Sequence, residues 1–302
     1  MINSTSTSTL DRTGTSAAGT TPRRRRRRPS AVARTVIIYA ILIVGAMLIL
    51  GPFLLSFSTA VKTPQQFASS SPLTMPAPFT FDNFSRLFGT EHNFVSPIAV
   101  TVQMTLVILV VQLGCSILAA YSFARLRFPG RDVVFWVYLA TMMIPAVTTI
   151  VPLYGMLTAA GLRNTFWALV LPTLFGSPYA IFLLREYFRS VPDDLEAAAR
   201  IDGCGTLRVL WYVVLPYSRP IIATLTVITV VTQWNNFLWP RVITTGDDWA
   251  VLTVATAALQ SQYNGNWTLV MAATTIALLP LLLVYLIFQR RIVDSIAIGG
   301  FK

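Results

Sequence analysis

Six separate stretches of this chain run for about twenty residues or more without one Asp, Glu, Lys or Arg. They are Val36 to Phe57, Ile98 to Ala124, Val133 to Thr158, Thr165 to Leu184, Ile221 to Trp239 and Thr268 to Phe288. A helix rises ~1.5 Å per residue and the hydrocarbon core of a bilayer is ~30 Å thick, so each stretch can cross it. The stretches are continuously apolar, whereas barrel strands alternate over ~10 residues, so helices are expected. Pro52, Pro145, Pro152, Pro172, Pro178 and Pro280 fall inside them. Membrane helices tolerate such prolines where neighbouring groups satisfy the freed carbonyls.

Composition agrees. Hydrophobic residues make up 54% of the 302 and charged residues 12%, against roughly 25% charged in a soluble domain. The remainder cannot coat a water-facing globule, and two cysteines cannot staple a disulfide scaffold. The net charge of +11 suggests nucleic acid at first sight, but six of the arginines form the single run Arg23 to Arg28. With the N-terminus placed in the cytoplasm, nineteen of the 23 basic residues lie on inner segments. Only Lys62, Arg86, Arg163 and Arg241 lie outside. That bias places both termini in the cytoplasm. Residues 1–34 are expected to be a disordered, dispensable basic tail and residues 35–302 the membrane domain. The arginine run serves as a topological label with some attraction to membrane lipid, and no nucleic-acid partner is expected.

Several chemistries are missing. Lys62 and Lys302 are the only lysines, and neither follows the glycine pattern of a phosphate-cradling loop. Any ATP-driven step therefore belongs to another chain, with ATP and Mg bound there and no cofactor here. His92 is a lone loop histidine, and Cys115 and Cys204 are far apart in sequence, so no metal site is expected. Ion-coupled carriers place ionisable groups at membrane depth. These spans offer hydroxyls, amides and aromatics instead, a lining that suits a neutral, hydroxyl-rich solute.

The inner segment between the fourth and fifth spans is the most distinctive. Pro192, Asp193 and Asp194 favour a first helical turn, Leu195 to Ala199 are good helix formers, and Gly203 and Gly205 stop the helix. A second short helix, Leu207 to Val214, is expected to end at Pro216. The alanines give a flat face that a partner can approach; the plain alternative is a loop helix lying on the membrane.

Pro192-Asp193-Asp194-Leu195-Glu196-Ala197-Ala198-Ala199-Arg200-Ile201-Asp202-Gly203, followed by Leu215-Pro216, resembles the EAA loop of ATP-binding-cassette importer permeases. Trp234-Asn235-Asn236-Phe237-Leu238-Trp239-Pro240 is similar to a stretch common in carbohydrate importers. Gln289-Arg290-Arg291 and Gly299-Gly300 fit the second permease of maltose-type systems. The resemblance implies an all-α membrane protein of six transmembrane helices in the type I importer permease fold, with a cytoplasmic coupling helix-turn-helix at about 190–216. It implies a second homologous permease, two ATPase subunits and an extracytoplasmic sugar-binding protein as partners, in a bacterial inner membrane. Glu196, Ala197, Ala198, Ala199, Ile201, Asp202 and Gly203 would dock on the ATPase. In the family the motif glutamate lies five residues before the Asp, a position held here by Ala197. Glu196 stands one residue earlier, turned by about 100° on the helix, which implies a different contact.

In the fifth span, Trp234, Asn235, Asn236 and Phe237 are expected in a sugar pathway, with packing against the second permease as the alternative for the amides. Trp239 is read as part of the interfacial aromatic belt. The outer loop around Gln260, Tyr263, Asn264 and Asn266 resembles one that reaches into the binding protein. The expected protein is a non-enzymatic permease subunit of a sugar importer. An importer for another neutral or phosphorylated solute is the alternative, and a stand-alone carrier the more distant one.

Overall fold

A computed structural model describes residues 29–261 and 266–299, with side chains described over 32–260 and 266–289. The arginine run Arg23 to Arg28, Tyr263, Asn264 and Gly300 lie outside the described residues. The chain divides after Gly51 into two units, each described by itself.

Every described element is helical. In chain order they are α1 (Pro29–Ala60), α2 (Pro64–Ser69), α3 (Asp82–Phe88), α4 (Val95–Arg125), α5 (Arg131–Ala140), α6 (Ala146–Ala159), α7 (Phe166–Leu174) and α8 (Pro178–Arg189). There follow α9 (Asp193–Ile201), α10 (Thr206–Val209), α11 (Leu215–Tyr217), α12 (Arg219–Trp234), α13 (Leu238–Ile243), α14 (Leu252–Ser261) and α15 (Trp267–Gly299). Five helical spans are long and apolar enough to cross a membrane: Val32–Ala60, Val95–Arg125, Phe166–Arg189, Arg219–Ile243 and Trp267–Gln289. The pair Arg131–Met143 and Ala146–Ala159 is also apolar enough but is bent by 98°, and makes a sixth only when its two halves count as one span.

That bend corrects the expectation of a continuous third span. Pro145 has no N–H and forces Ile144 out of the helical region, to φ −81 and ψ 117. The fourth span also breaks, between Leu174 and Pro178, where Ser177 before the proline is extended and its side chain caps α8. In the inner loop the second helix does not end at Pro216. It runs from Thr206 through a π-helical segment, Leu210–Val214, to Tyr217. A π turn takes an extra residue and leaves a carbonyl unbonded, which suits a following proline with no N–H to donate.

From Pro52 onward α4 is central to the packing. At one end its Ala120 and Tyr121 pack with Leu184 and Phe188 of α8, Val214 and Leu225. Nearer the other end Val100, Met104 and Ile108 pack with α7, with Trp239 and Ile243 of α13 and with Val251. A third cluster joins Ala60, Leu87 and Phe94 to Trp234 and the start of α15. The loops assigned by charge to the outer side meet at one end of this unit. Asn83 donates from Nδ2 to the carbonyls of Ala60 and Lys62, each at 2.8 Å, and accepts from Thr268 Oγ1 at 2.9 Å. Asn164 Oδ1 accepts from the Thr245 N–H at 2.9 Å. The loops assigned to the inner side meet at the opposite end, where Arg125 and Asp193 pair.

Candidate functional site

All ion pairs among the described residues lie at the inner end, on Arg125, Arg131, Arg185 and Arg189 with Asp132, Glu186, Asp193 and Glu196. Arg125 closes α4 and is the hub. Its Nη1 bonds Asp193, its Nη2 donates to the Phe188 carbonyl at 2.7 Å and to that of Val191, and its Nε lies 2.9 Å from Glu196 Oε1. The Nε contact is an ion pair without an aligned hydrogen bond. Arg125 and Glu196 side chains are 11% and 9% exposed, so this pair is screened little by water. Arg185 extends the cluster, stacking 4.1 Å over the Phe135 ring and pairing with Glu186 at 2.6 Å.

The buried pair fixes how α9 is turned. Glu196 faces inward, and Ala199 is half-buried on the same side. Asp194, Ala197, Ala198, Ile201, Asp202 and Gly203 are exposed. Residues 194, 197, 198 and 201 share one helix face. Ile201 is 86% exposed and Leu195 46%, large apolar side chains on a helix whose other residues are charged groups and alanines. Gly203 takes φ +82, ending α9 with its N–H on the Arg200 carbonyl while Cys204 N–H reaches Ala199. A Cβ there would meet nothing within 4 Å, so glycine is required for the turn and not for space.

The residues expected in the pathway are spread differently. Trp234 is buried and donates from its indole to the Ala277 carbonyl at 3.0 Å. Asn235 is exposed at the C-terminus of α12, its Nδ2 on the Val231 carbonyl at 2.8 Å. Asn236 is half-buried and its carbonyl accepts from Thr253 Oγ1, while Phe237 is 41% exposed. Trp239 is not a belt residue: it is buried in protein and donates to the Ala168 carbonyl at 2.9 Å. Gln260 is exposed at the end of α14, and Asn266 caps α15, its Oδ1 accepting from the Leu269 N–H at 3.4 Å.

Sequence reasoning missed the polar groups that hold the broken fourth span. Gln112 of α4 donates to the Thr173 carbonyl at 2.6 Å, Ser116 Oγ accepts from Ser177 N–H at 2.9 Å, and Tyr138 OH donates to the Gly176 carbonyl at 2.7 Å. These amide and hydroxyl groups, read as a solute-friendly lining, satisfy backbone that a membrane cannot hydrate. The cue in the sequence was Ser-Pro at 177–178 beside the isolated polar residues of α4.

Residues 112–298 match the family model described as binding-protein-dependent transport system inner membrane component. The chain is 35% identical over 271 residues to the diacetylchitobiose uptake system permease protein NgcG of Streptomyces coelicolor, covering 87% of this chain and 88% of that one. It is 34% identical over 268 residues to the sn-glycerol-3-phosphate transport system permease protein UgpE of Yersinia pestis, covering 85% and 94%. Over 227 residues it is 31% identical to the arabinooligosaccharides transport system permease protein AraQ of Halalkalibacterium halodurans, covering 75% and 81%. In fold it is similar to a chain of a bacterial ABC transporter involved in import of the acidic polysaccharide alginate. That match has a TM-score of 0.76 and 23% identity, covering 87% of this chain and 98% of the other.

Proposed function

The chain belongs to the family of binding-protein-dependent transport system inner membrane components, and from that premise we propose that it is a permease subunit for a mono- or oligosaccharide, powered by ATP hydrolysis on separate subunits. On this reading its membrane domain, residues 35–302, is half of a translocation pathway completed by a second homologous permease. Two ATPase subunits bind ATP and Mg on the cytoplasmic side, both termini lie there, and an extracytoplasmic binding protein delivers the solute. The chain itself performs no catalysis.

The observation that carries the reading is the exposed apolar face of α9, at the end where every described ion pair gathers. Exposed large apolar groups on a charged helix mark a contact surface. Ala197, Ala198, Ile201, Asp202 and Gly203 form the seat for the ATPase, with Ala199 and Glu196 supporting it from behind. Arg125 makes α9 and the end of α4 move together, because pulling the helix away would leave buried charges uncompensated. Closure of the ATPase dimer then tilts the membrane helices as a body.

Asn235 and Phe237, on open surface beside the break in the fifth span, with Asn236 and Trp234 behind them, are the proposed pathway side. Gln260 and Asn266 border the loop proposed to meet the binding protein. The similar permeases are named for diacetylchitobiose, for arabinooligosaccharides and for sn-glycerol-3-phosphate, so a phosphorylated solute is the competing arm of the test. A panel of neutral sugars and sn-glycerol-3-phosphate is offered to the cognate binding protein, and the ATPase rate of the reconstituted complex is measured. A neutral sugar is expected to stabilise the binding protein and stimulate hydrolysis. Stimulation by sn-glycerol-3-phosphate alone would overturn the sugar assignment. Solute conduction by the purified chain without any ATPase would overturn the importer reading.

A further inference from the structure

A groove of about 920 Å³ opens between α4, the helix from Thr206 to Tyr217 and the start of α12. Its apolar wall follows α4 from Leu109 to Leu118. That distance is about 14 Å at the helical rise, roughly half of the ~30 Å hydrocarbon core, the depth of one leaflet. The facing wall carries Trp211 and Tyr212, 67% and 72% exposed, presented by the π-helical segment. Such segments concentrate where a helix serves a function. Arg208, on the facing wall, and Arg219, at the start of α12, also line the groove, and both are exposed. Neither has an ion-pair partner among the described residues, and no Asp or Glu lines the groove.

We propose that this groove binds a phospholipid with an anionic headgroup. Its phosphate lies on Arg208 and Arg219 and an acyl chain runs along Leu109 to Leu118. Charge complementarity selects this occupant. An uncharged membrane helix of a second permease would cover the apolar wall but leave two guanidiniums unmatched, and a zwitterionic lipid would match them only in part. Free phosphate would satisfy the arginines and leave the apolar wall open. Basic pockets beside membrane helices on the cytoplasmic side suit anionic headgroups for the same reason, and guanidinium pairs phosphate oxygens bidentately.

The test uses the full chain with the subunits that accompany it, in nanodiscs of phosphatidylcholine with or without phosphatidylglycerol. Native mass spectrometry counts the lipid retained. Wild type is expected to retain phosphatidylglycerol in preference to phosphatidylcholine, and added inorganic phosphate is expected not to displace it. The Arg208→Gln/Arg219→Gln variant is expected to lose that preference by roughly thirty-fold, the product of two surface arginines. A Cβ at Gly114, which lines the groove, would meet nothing within 4 Å. Gly114→Phe, filling the groove with both arginines intact, is expected to expel either lipid while helix content by circular dichroism is unchanged. Equal retention of the two lipids by wild type, or an unchanged preference in the arginine variant, would overturn the proposal. So would a cross-link from Gly114→Cys to a second permease. Transport is not the readout, so this outcome is separate from that of the importer reading.

Discussion

At the scale of single residues, Glu196 and Arg125 are the pair on which the inner loop depends. They lie 2.9 Å apart and largely out of water; without Glu196, Arg125 keeps Asp193 and the Phe188 and Val191 carbonyls but its Nε loses its counter-charge, a loss of about 1–3 kcal/mol. Glu196→Ala is expected to loosen α9, raising amide exchange over residues 193–201 and lowering uptake while the complex still hydrolyses ATP. Unchanged exchange in Glu196→Ala would show that the pair does not hold the helix. Gly203 is the second sensitive position. A left-handed turn costs an L-residue about 1–2 kcal/mol, and Asn tolerates it better than a β-branched side chain. Gly203→Val is therefore expected to reduce uptake well below Gly203→Asn at equal membrane levels, measured in cells expressing each variant.

At the scale of elements, the broken fourth span is held by side chains from elsewhere. Tyr138→Phe removes the donor to the half-buried Gly176 carbonyl, and losing such a bond costs about 1 kcal/mol. The expected result is a lower melting temperature of the detergent-purified protein, with a similar loss for Gln112→Leu through the Thr173 carbonyl. The spans themselves were legible in sequence, because a bilayer demands uninterrupted apolar length and nothing else in the chain mimics it. The 98° bend at Pro145 was not. Whether a proline kinks a span or ends it depends on which groups from other helices reach the freed carbonyls, and these lie tens of residues away. The same holds for Glu196: its position in the motif was readable, but its partner Arg125 lies at the end of another span. Trp234 and Trp239 show the limit of composition, since an aromatic that suits a sugar or an interface also suits a helix contact that takes up its indole N–H.

At the scale of the whole molecule, charge is sorted to the two ends of the bundle from Pro52 onward. The described ion pairs and α9 share one end, and the Asn83 and Asn164 clasps share the other. A bundle tied at both ends and broken within its spans can tilt as a body while its interior opens, which is what alternating access requires. The most direct test of the account is a cross-link from α9 to the ATPase in the assembled importer. Ala198→Cys is introduced into a chain whose Cys115 and Cys204 are replaced by Ser, and a short bifunctional thiol reagent is added. The account predicts a product with the ATPase subunit whose yield changes with ATP and falls in Glu196→Ala. Sugar uptake at wild-type rate, with no ATPase product under any nucleotide condition, would contradict it.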